Sequence, residues 1–230
     1  MNSSIRGLNL PFSPIRSLMP FAREAKEKGI EILHLNIGQP DIPAPKEALF
    51  GLQNFSLDNI PYGDSEGLDS LRSKVAHYYQ KFDTKIDKSN VLVTTGASEA
   101  IQFSLFSCLN PGDEVIIPEP FYANYLGYAQ IANVIIVPIA CDFSSGFDLP
   151  NIEQFDRLVT KRTKAILICN PNNPTGSCYS KEALESLSKL ILDKELFLIV
   201  DEVYKEFCYE QDFFSILNIC LLYTSPSPRD

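Results

Sequence analysis

The sequence predicts an α/β fold in which a mainly parallel sheet is sandwiched by helices. Short unbroken apolar runs carry the first argument. Val115-Ile-Ile117, Val134 to Val137, Ala165-Ile-Leu-Ile-Cys169 and Leu196-Phe-Leu-Ile-Val200 have the length of strands buried on both faces. Between them lie segments whose apolar residues recur at helical spacing, so strands and helices alternate as βαβ units require. The third observation is that these runs end in polar loops of small residues, where open α/β sheets hold their ligands.

In chain order, Ser13-Pro14 is expected to open a helix as cap and first-turn proline. Ile15, Leu18, Met19 and Ala22 keep helical spacing until Gly29 stops the run. Ile30 to Ile37 reads as a short extended segment. The prolines of Gly38 to Pro45 then rule out helix or central strand. Lys46 to Phe55 is expected to be helical. After the polar loop Pro61 to Gly67, Leu68, Leu71, Val75 and Tyr78 or Tyr79 mark another helix. Val91-Leu-Val93 is expected as a short strand, with Thr94 to Ser98 as its exit loop. Ile101, Leu105, Cys108 and Leu109 line the next helix, which Asn110-Pro-Gly112 ends. Tyr122 to Ala132 and Leu149 to Val159 are expected to be helical. Ser180 caps a helix bearing Leu184, Leu187 and Ile191. No internal repeat or low-complexity region interrupts this order.

A chain of 230 residues suits one large domain or a domain and a half, and its 45% apolar share allows a packed core. The net charge of -9 argues against a nucleic-acid partner, which would need a basic patch. Arg23 to Lys28 is diluted by Glu24 and Glu27 and reads as a solvated helix face. The six cysteines include no Cys-x-x-Cys pair, and neither His34 nor His77 completes a zinc-ligand spacing. Reduced, mostly buried thiols in a cytoplasmic protein are therefore expected. Met1 to Arg6 lacks an apolar signal region, and no apolar run approaches a membrane span.

Chemistry is expected in the loops after strands. Thr95-Gly-Ala-Ser98 joins a strand to a helix N-terminus, where free N–H groups, the helix dipole and the Ser98 hydroxyl suit a phosphate. The same residues also suit a plain turn with Ser98 as the helix cap. Tyr122 offers a ring for stacking on a planar heteroaromatic, or a core aromatic. Asn170-Pro-Asn-Asn-Pro-Thr-Gly176 is stiffer and more polar than a turn needs, and such a loop fixes the direction of an amide. Asp201 closes an apolar strand with an acid, followed by the phenol of Tyr204. A carboxylate there suits the protonated ring nitrogen of a pyridine cofactor, and equally a helix cap.

In this order the loops resemble the fold-type I pyridoxal-phosphate enzymes, in particular the class I/II, aspartate aminotransferase-like family. The run Asn-Pro-x-Asn-Pro-Thr-Gly followed by Asp-Glu-x-Tyr is the specific part, and the likeness extends over residues 5 to 213. The resemblance implies pyridoxal 5'-phosphate as cofactor, with Gly96, Ala97 and Ser98 at its phosphate and Tyr122 stacked on its ring. It implies Asn173 and Tyr204 at the ring's phenolic oxygen and Asp201 at the ring nitrogen. Gly38, in Asn36-Ile-Gly-Gln-Pro-Asp41, resembles the family's glycine at the substrate carboxylate, with Tyr122 and Asn173 also facing substrate. Tyr62 resembles a tyrosine that reaches the phosphate of a partner subunit's cofactor, which implies a homodimer. The substrates implied are an α-amino acid and a 2-oxo acid.

The family's Schiff-base lysine, expected in a Ser-rich loop beyond Tyr204, has no counterpart here. Lys205 directly follows Tyr204 without that context and is expected to be a surface residue. The family's substrate- and phosphate-binding arginines are missing as well. From Cys220 to Asp230 the sequence resembles the in-frame translation of a transposase sequencing adapter and is expected to be non-native. The organisation expected is an N-terminal arm with part of the small domain at 1–45, a truncated cofactor-binding large domain at 46–219, and the tail at 220–230. A chain so composed is expected to be catalytically inert and, with interface surface uncovered, poorly soluble. Other readings of the same motifs are a carbon–sulfur lyase or cyclopropane-forming synthase of this fold, the cofactor-sensing module of a transcription regulator, or a fragment without function of its own.

Overall fold

The computed structural model describes residues 4–11, 16–35, 38, 42–54 and 62–219, apart from the side chains of Arg6 and Leu52. The helix start expected at Ser13-Pro14, the segments 36–37, 39–41 and 55–61, and the tail from Cys220 lie outside these residues. The chain divides into two compact units, Met1–Pro11 with Glu66–Asp230 and, separately, Phe12–Ser65.

A short helix α1 (Ile5–Leu8), unforeseen in the sequence, is capped by the Ser4 hydroxyl, which accepts from the Gly7 N–H at 3.1 Å. The second unit contains α2 (Met19–Glu27), ended by Gly29 at φ +77°, and α3 (Lys46–Gln53). Ile30 to Leu35 carry no regular element.

The first unit continues with α4 (Asp69–Tyr79) and α5 (Ala97–Cys108). The strand expected at Val91 to Val93 does not form. A strand needs a hydrogen-bonding neighbour, and the Val93 N–H instead donates to the Glu66 carbonyl at 2.9 Å. Gly67 makes that approach feasible: at φ +99°, a Cβ there would fall 2.5 Å from Val93 Cβ.

Then β1 (Glu114–Glu119), α6 (Asn124–Ala132), β2 (Ile135–Ala140), α7 (Ile152–Leu158), β3 (Thr163–Cys169), α8 (Lys181–Asp193) and β4 (Phe197–Asp201) alternate as the sequence predicts. The sheet is fully parallel, in the order β2-β1-β3-β4. Its middle strands are covered on both faces. On β1 and β3, Ile116, Ile166 and Ile168 pack with Phe155 of α7 and Leu184, Leu187 and Ile191 of α8. The alternate residues Val115, Ile117, Ala165 and Leu167 pack with Ile101 and Leu105 of α5 and Tyr125 of α6. The period of two thus divides each apolar run between two cores. Each fully buried Leu or Ile contributes about 1.5–3 kcal/mol of transfer free energy.

Ser180 caps α8 as expected, its hydroxyl accepting from the Ala183 N–H. Asn151 and Gln154 form a reciprocal capping box on α7. Ser215 and Ile216 are buried, and Phe214 and Ile219, just before and at the end of a 3-10 turn (Ile216–Ile219), pack against the α7/α8 core. At the sheet edge β4 pairs only with β3 among the described residues. A groove of about 400 Å³ runs beside it, lined by Tyr79, Ala97, Ile101, Ile199, Glu202 and Ile216 among others.

Parallel strands bring all carboxyl ends to one edge. The chain leaves β1 towards β2 and returns to place β3 on the other side of β1, so the strand order reverses between β1 and β3. Such a reversal opens a crevice at the carboxyl ends. The loops carrying Tyr122 and Asn170 to Gly176 flank it, and the register Cys169↔Asp201 sets the acid one strand away.

Candidate functional site

Asp201 ends β4, and the Asn170 N–H donates to its carbonyl at 2.9 Å, fixing the backbone. Its carboxylate is half-buried. Oδ2 accepts from Tyr125 Oη at 2.8 Å, and Oδ1 accepts from the Val203 N–H at 3.1 Å. No helix starts there, so the acid makes a local turn instead of a helix cap. Tyr125 is 1% exposed. Burial first, then the charges of Cys169 and Asp201, push its phenol far up, so it acts towards Asp201 only as a donor. Burial and the Asp201 charge likewise push the Cys169 thiol up to about 11.

Tyr122 is half-buried, its ring edge-on to Tyr125 with centroids 5.5 Å apart. Asn124 Nδ2 donates to its Oη at 2.5 Å. Burial raises the Tyr122 phenol, and the phenols of Tyr128 and Tyr204 and the Asp201 carboxylate raise it further. Contacts tie Tyr122 to Tyr125 and Tyr125 to Asp201, so the ring and the acid share one wall of the crevice. Tyr128 Oη in turn donates to Ser98 Oγ at 2.6 Å, leaving the serine's own hydroxyl hydrogen available to another acceptor.

Ser98 is not the cap of α5. Gly96 holds that position at φ +83°, with no side-chain cap. The N–H groups of Ala97 and Ser98 bond to nothing among the described residues and face open surface. Glu99 Oε2 takes the Thr95 N–H at 2.6 Å and the Thr94 carbonyl takes that of Gly96 at 2.8 Å, so the anion-seeking N–H groups of α5 are narrowed to Ala97 and Ser98.

The Asn-rich loop uses each amide differently. Asn170, 1% exposed, accepts the Tyr179 N–H on Oδ1 at 2.8 Å. Asn172 Nδ2 donates to the Pro120 carbonyl at 3.1 Å and to Thr175 Oγ1 at 2.8 Å, tying this loop to the one that carries Tyr122. Gly176, at φ +75°, closes the turn by donating to the Asn172 carbonyl. Only Asn173 turns outward, its Nδ2 donating to Tyr204 Oη at 3.3 Å. The peptide bonds Glu119–Pro120, Asn170–Pro171 and Asn173–Pro174 are cis.

The structure therefore brings together Gly96, Ala97, Ser98, Tyr122, Asn173, Asp201 and Tyr204. Gly38 and Tyr62 belong to the other unit, where both are exposed and no atom lies within 4 Å of a Cβ built on Gly38. Lys205, expected on the surface, is half-buried. Its Nζ lies 5.3 Å and 4.9 Å from the ring centroids of Tyr78 and Tyr79, held there by cation–π attraction. Sequence reasoning missed Tyr125 and Tyr128. Part of the signal was present: Tyr122, Tyr125 and Tyr128 are spaced by three, which sets Tyr125 and Tyr128 on one side of α6 with Tyr122 just ahead of its start.

This donor set fits a phosphorylated pyridine. A helix terminus with unbonded N–H groups and a hydroxyl suits the phosphate. A carboxylate suits a cationic ring nitrogen, an amide–phenol pair suits a ring oxygen, and an aromatic ring suits the pyridine face. Among the described residues no group of three His, Cys, Asp or Glu side chains converges as a metal site, and no helix is long and apolar enough to cross a membrane.

Comparison with known proteins points the same way. The family described as "Aminotransferase class I and II" matches residues 30–227. An aspartate aminotransferase of Thermotoga maritima is 33% identical over 215 residues, 91% of this chain and 56% of that protein. A glutamate-pyruvate aminotransferase of Haemophilus influenzae is 36% identical over 83% of this chain and 49% of its own length. Among solved structures, an alanine aminotransferase from Pyrococcus furiosus superposes with a TM-score of 0.86 at 34% identity, covering 94% of this chain and 56% of that one. The chain thus spans about half the length of the relatives it matches.

Proposed function

This chain belongs to the class I and II aminotransferase family, and we propose that its parent protein transfers an amino group between an α-amino acid and a 2-oxo acid with pyridoxal 5'-phosphate. The observation that carries the proposal is the Asp201 carboxylate held by Tyr125, itself packed on the Tyr122 ring, at the same carboxyl edge of the sheet as the Asn173–Tyr204 pair. When bound, the cofactor supplies an electron sink for the pair left as a substrate Cα–H bond breaks.

Asp201 holds a proton on the ring nitrogen by charge, and Tyr125 keeps its carboxylate aimed. Asn173 and Tyr204 donate to the ring's oxygen from opposite loops. Tyr122 covers the ring face. Gly96, Ala97 and Ser98 bind the phosphate, with Tyr128 orienting the Ser98 hydroxyl. Gly38, which leaves open space at the chain, admits the substrate carboxylate, together with Tyr122 and Asn173. Tyr62, fully exposed on its unit, serves the phosphate site of a second subunit in a homodimer. The relatives named above support small amino and oxo acids as substrates. A cytoplasmic location and the division at 1–45, 46–219 and 220–230 belong to the same proposal.

The 230 residues as they stand contain no lysine suited to anchor the cofactor. The ammonium of Lys205 is engaged on Tyr78 and Tyr79. Purified chain mixed with pyridoxal phosphate, an amino acid and a 2-oxo acid is therefore expected to form no new oxo acid above a protein-free control. A parent chain extended beyond residue 219 is expected to form it in proportion to the amino acceptor. Ammonia and elimination products without acceptor dependence would refute transamination in favour of a lyase.

A further inference from the structure

Five cysteines lie among the described residues, all as free thiols. Two of them meet. Cys178 Sγ and Cys208 Sγ are 3.2 Å apart although 30 residues separate them in the chain. Both are half-buried, and both line a cavity of about 400 Å³ shared with Gly146, Asp148, Tyr209 and Gln211, through which a small reagent can reach them. Gln211 Nε2 donates to the Cys178 carbonyl at 2.8 Å, pinning the segment after Cys208 to the one holding Cys178. Cys178 follows the loop that carries Asn173, and Cys208 follows the turn that carries Tyr204. These loops are thus tied twice, by the Asn173–Tyr204 bond and by the thiol contact.

We propose that Cys178 and Cys208 are a reversible oxidation site, which a small-molecule disulfide of the glutathione type converts to an internal disulfide joining the Asn173 and Tyr204 loops. The sulfurs need to approach by only about 1.2 Å to reach bonding distance. One cysteine thiolate attacks a sulfur of glutathione disulfide, forming a protein–glutathione bond and releasing one glutathione thiolate. The second cysteine, as thiolate, attacks the protein sulfur of that bond and releases the other glutathione. Both cysteine protons end on the departing glutathiones, so the protein dithiol is oxidised by two electrons and the reagent is reduced by two. Burial, then the hydrogen bond and charge of Cys178, push Cys208 up to about 12, so the exchange runs faster as pH rises. The oxidised form locks the pair Asn173–Tyr204 at fixed separation, whatever ligand that pair serves.

The test equilibrates the 230-residue chain with glutathione at graded ratios of oxidised to reduced form, quenches with acid, alkylates, and maps peptides by mass. The expected product has two fewer alkylated thiols of the six, no added glutathione, and a Cys178–Cys208 linkage that dithiothreitol reverses. The ratio of glutathiones giving half oxidation is expected to shift at least tenfold towards the disulfide in native buffer compared with concentrated urea. Cys178→Ser and Cys208→Ser are expected to abolish the linkage and leave single adducts. Adducts without internal linkage in the unmutated chain, linkage to another cysteine, or an equal half-oxidation ratio in urea would each overturn the proposal.

Discussion

Replacing Tyr125 by phenylalanine removes one oxygen and leaves the ring in place. The ring is 1% exposed and packs against Phe121 and Tyr122, so Tyr125→Phe changes no volume that matters to the core. What it removes is the 2.8 Å bond to Asp201 Oδ2, leaving a half-buried carboxylate with only the Val203 N–H as partner among the described residues. A hydrogen bond to a charged group contributes about 1.5–3 kcal/mol. With a urea slope of about 2 kcal/mol per molar, a loss of ~2 kcal/mol moves the unfolding midpoint down by ~1 M at pH 7. The assay is a double-mutant cycle with Asp201→Ala, followed by urea titration. Coupling of about 1–2 kcal/mol is expected, because once the carboxylate is gone the phenol has nothing to hold. If Tyr125→Phe has the same effect in both backgrounds, to within about 0.5 kcal/mol, the phenol does not act through Asp201 and its proposed positioning role fails.

Adjacent asparagines should separate stability from binding. Asn172→Ala, which strips two bonds from a buried amide, is expected to lower unfolding free energy by about 1–3 kcal/mol, whereas Asn173→Ala stays within about 0.5 kcal/mol but weakens binding of pyridoxal phosphate in an absorbance titration. Glu114 is held below the usual carboxylate range, chiefly by the Thr160 hydroxyl, then by Thr163 and Arg162, with burial opposing. Its folded pKa is depressed, so its contribution is present above the unfolded value of about 4.3 and is lost as pH falls through the folded value. Acid titration followed by circular dichroism should show Glu114→Gln losing that part of the acid-limb slope. Phe103, Phe106, Leu92 and Phe197 are exposed, so the chain is expected to sediment as oligomers or aggregates at micromolar concentration, and a monodisperse monomer would contradict this.

The middle of the sheet was legible because β1 and β3 are covered on both faces, which leaves the apolar runs of Val115 to Ile117 and Ala165 to Cys169 unbroken in the sequence. Ser180 was legible because a cap acts within one helical turn. Val91 to Val93 has the composition of a strand but no ladder partner, and pairing is not a local property. The same limit hid the partner of Tyr125: the spacing of the tyrosines marks a shared side, but the phenol bonds an acid 76 residues further on. The residues expected to hold a cofactor were read from the order of their loops. The division of labour among Asn170, Asn172 and Asn173 emerged only with the loop's hydrogen bonds, since three identical side chains differ only in direction.

The parallel register that assembles the crevice also makes it a sensor of its own integrity. Its groups come from residues 96–98, 122–128, 170–173 and 201–204, segments joined to one another through the sheet and the helices packed on it. A ligand that touches Ser98, Tyr122, Asn173 and Asp201 together recognises only chains in which β1, β3 and β4 have paired. By mass action such a ligand stabilises the folded unit by about 2.7 kcal/mol at a hundred times its dissociation constant. The melting temperature of the sheet would then rise with the concentration of such a ligand.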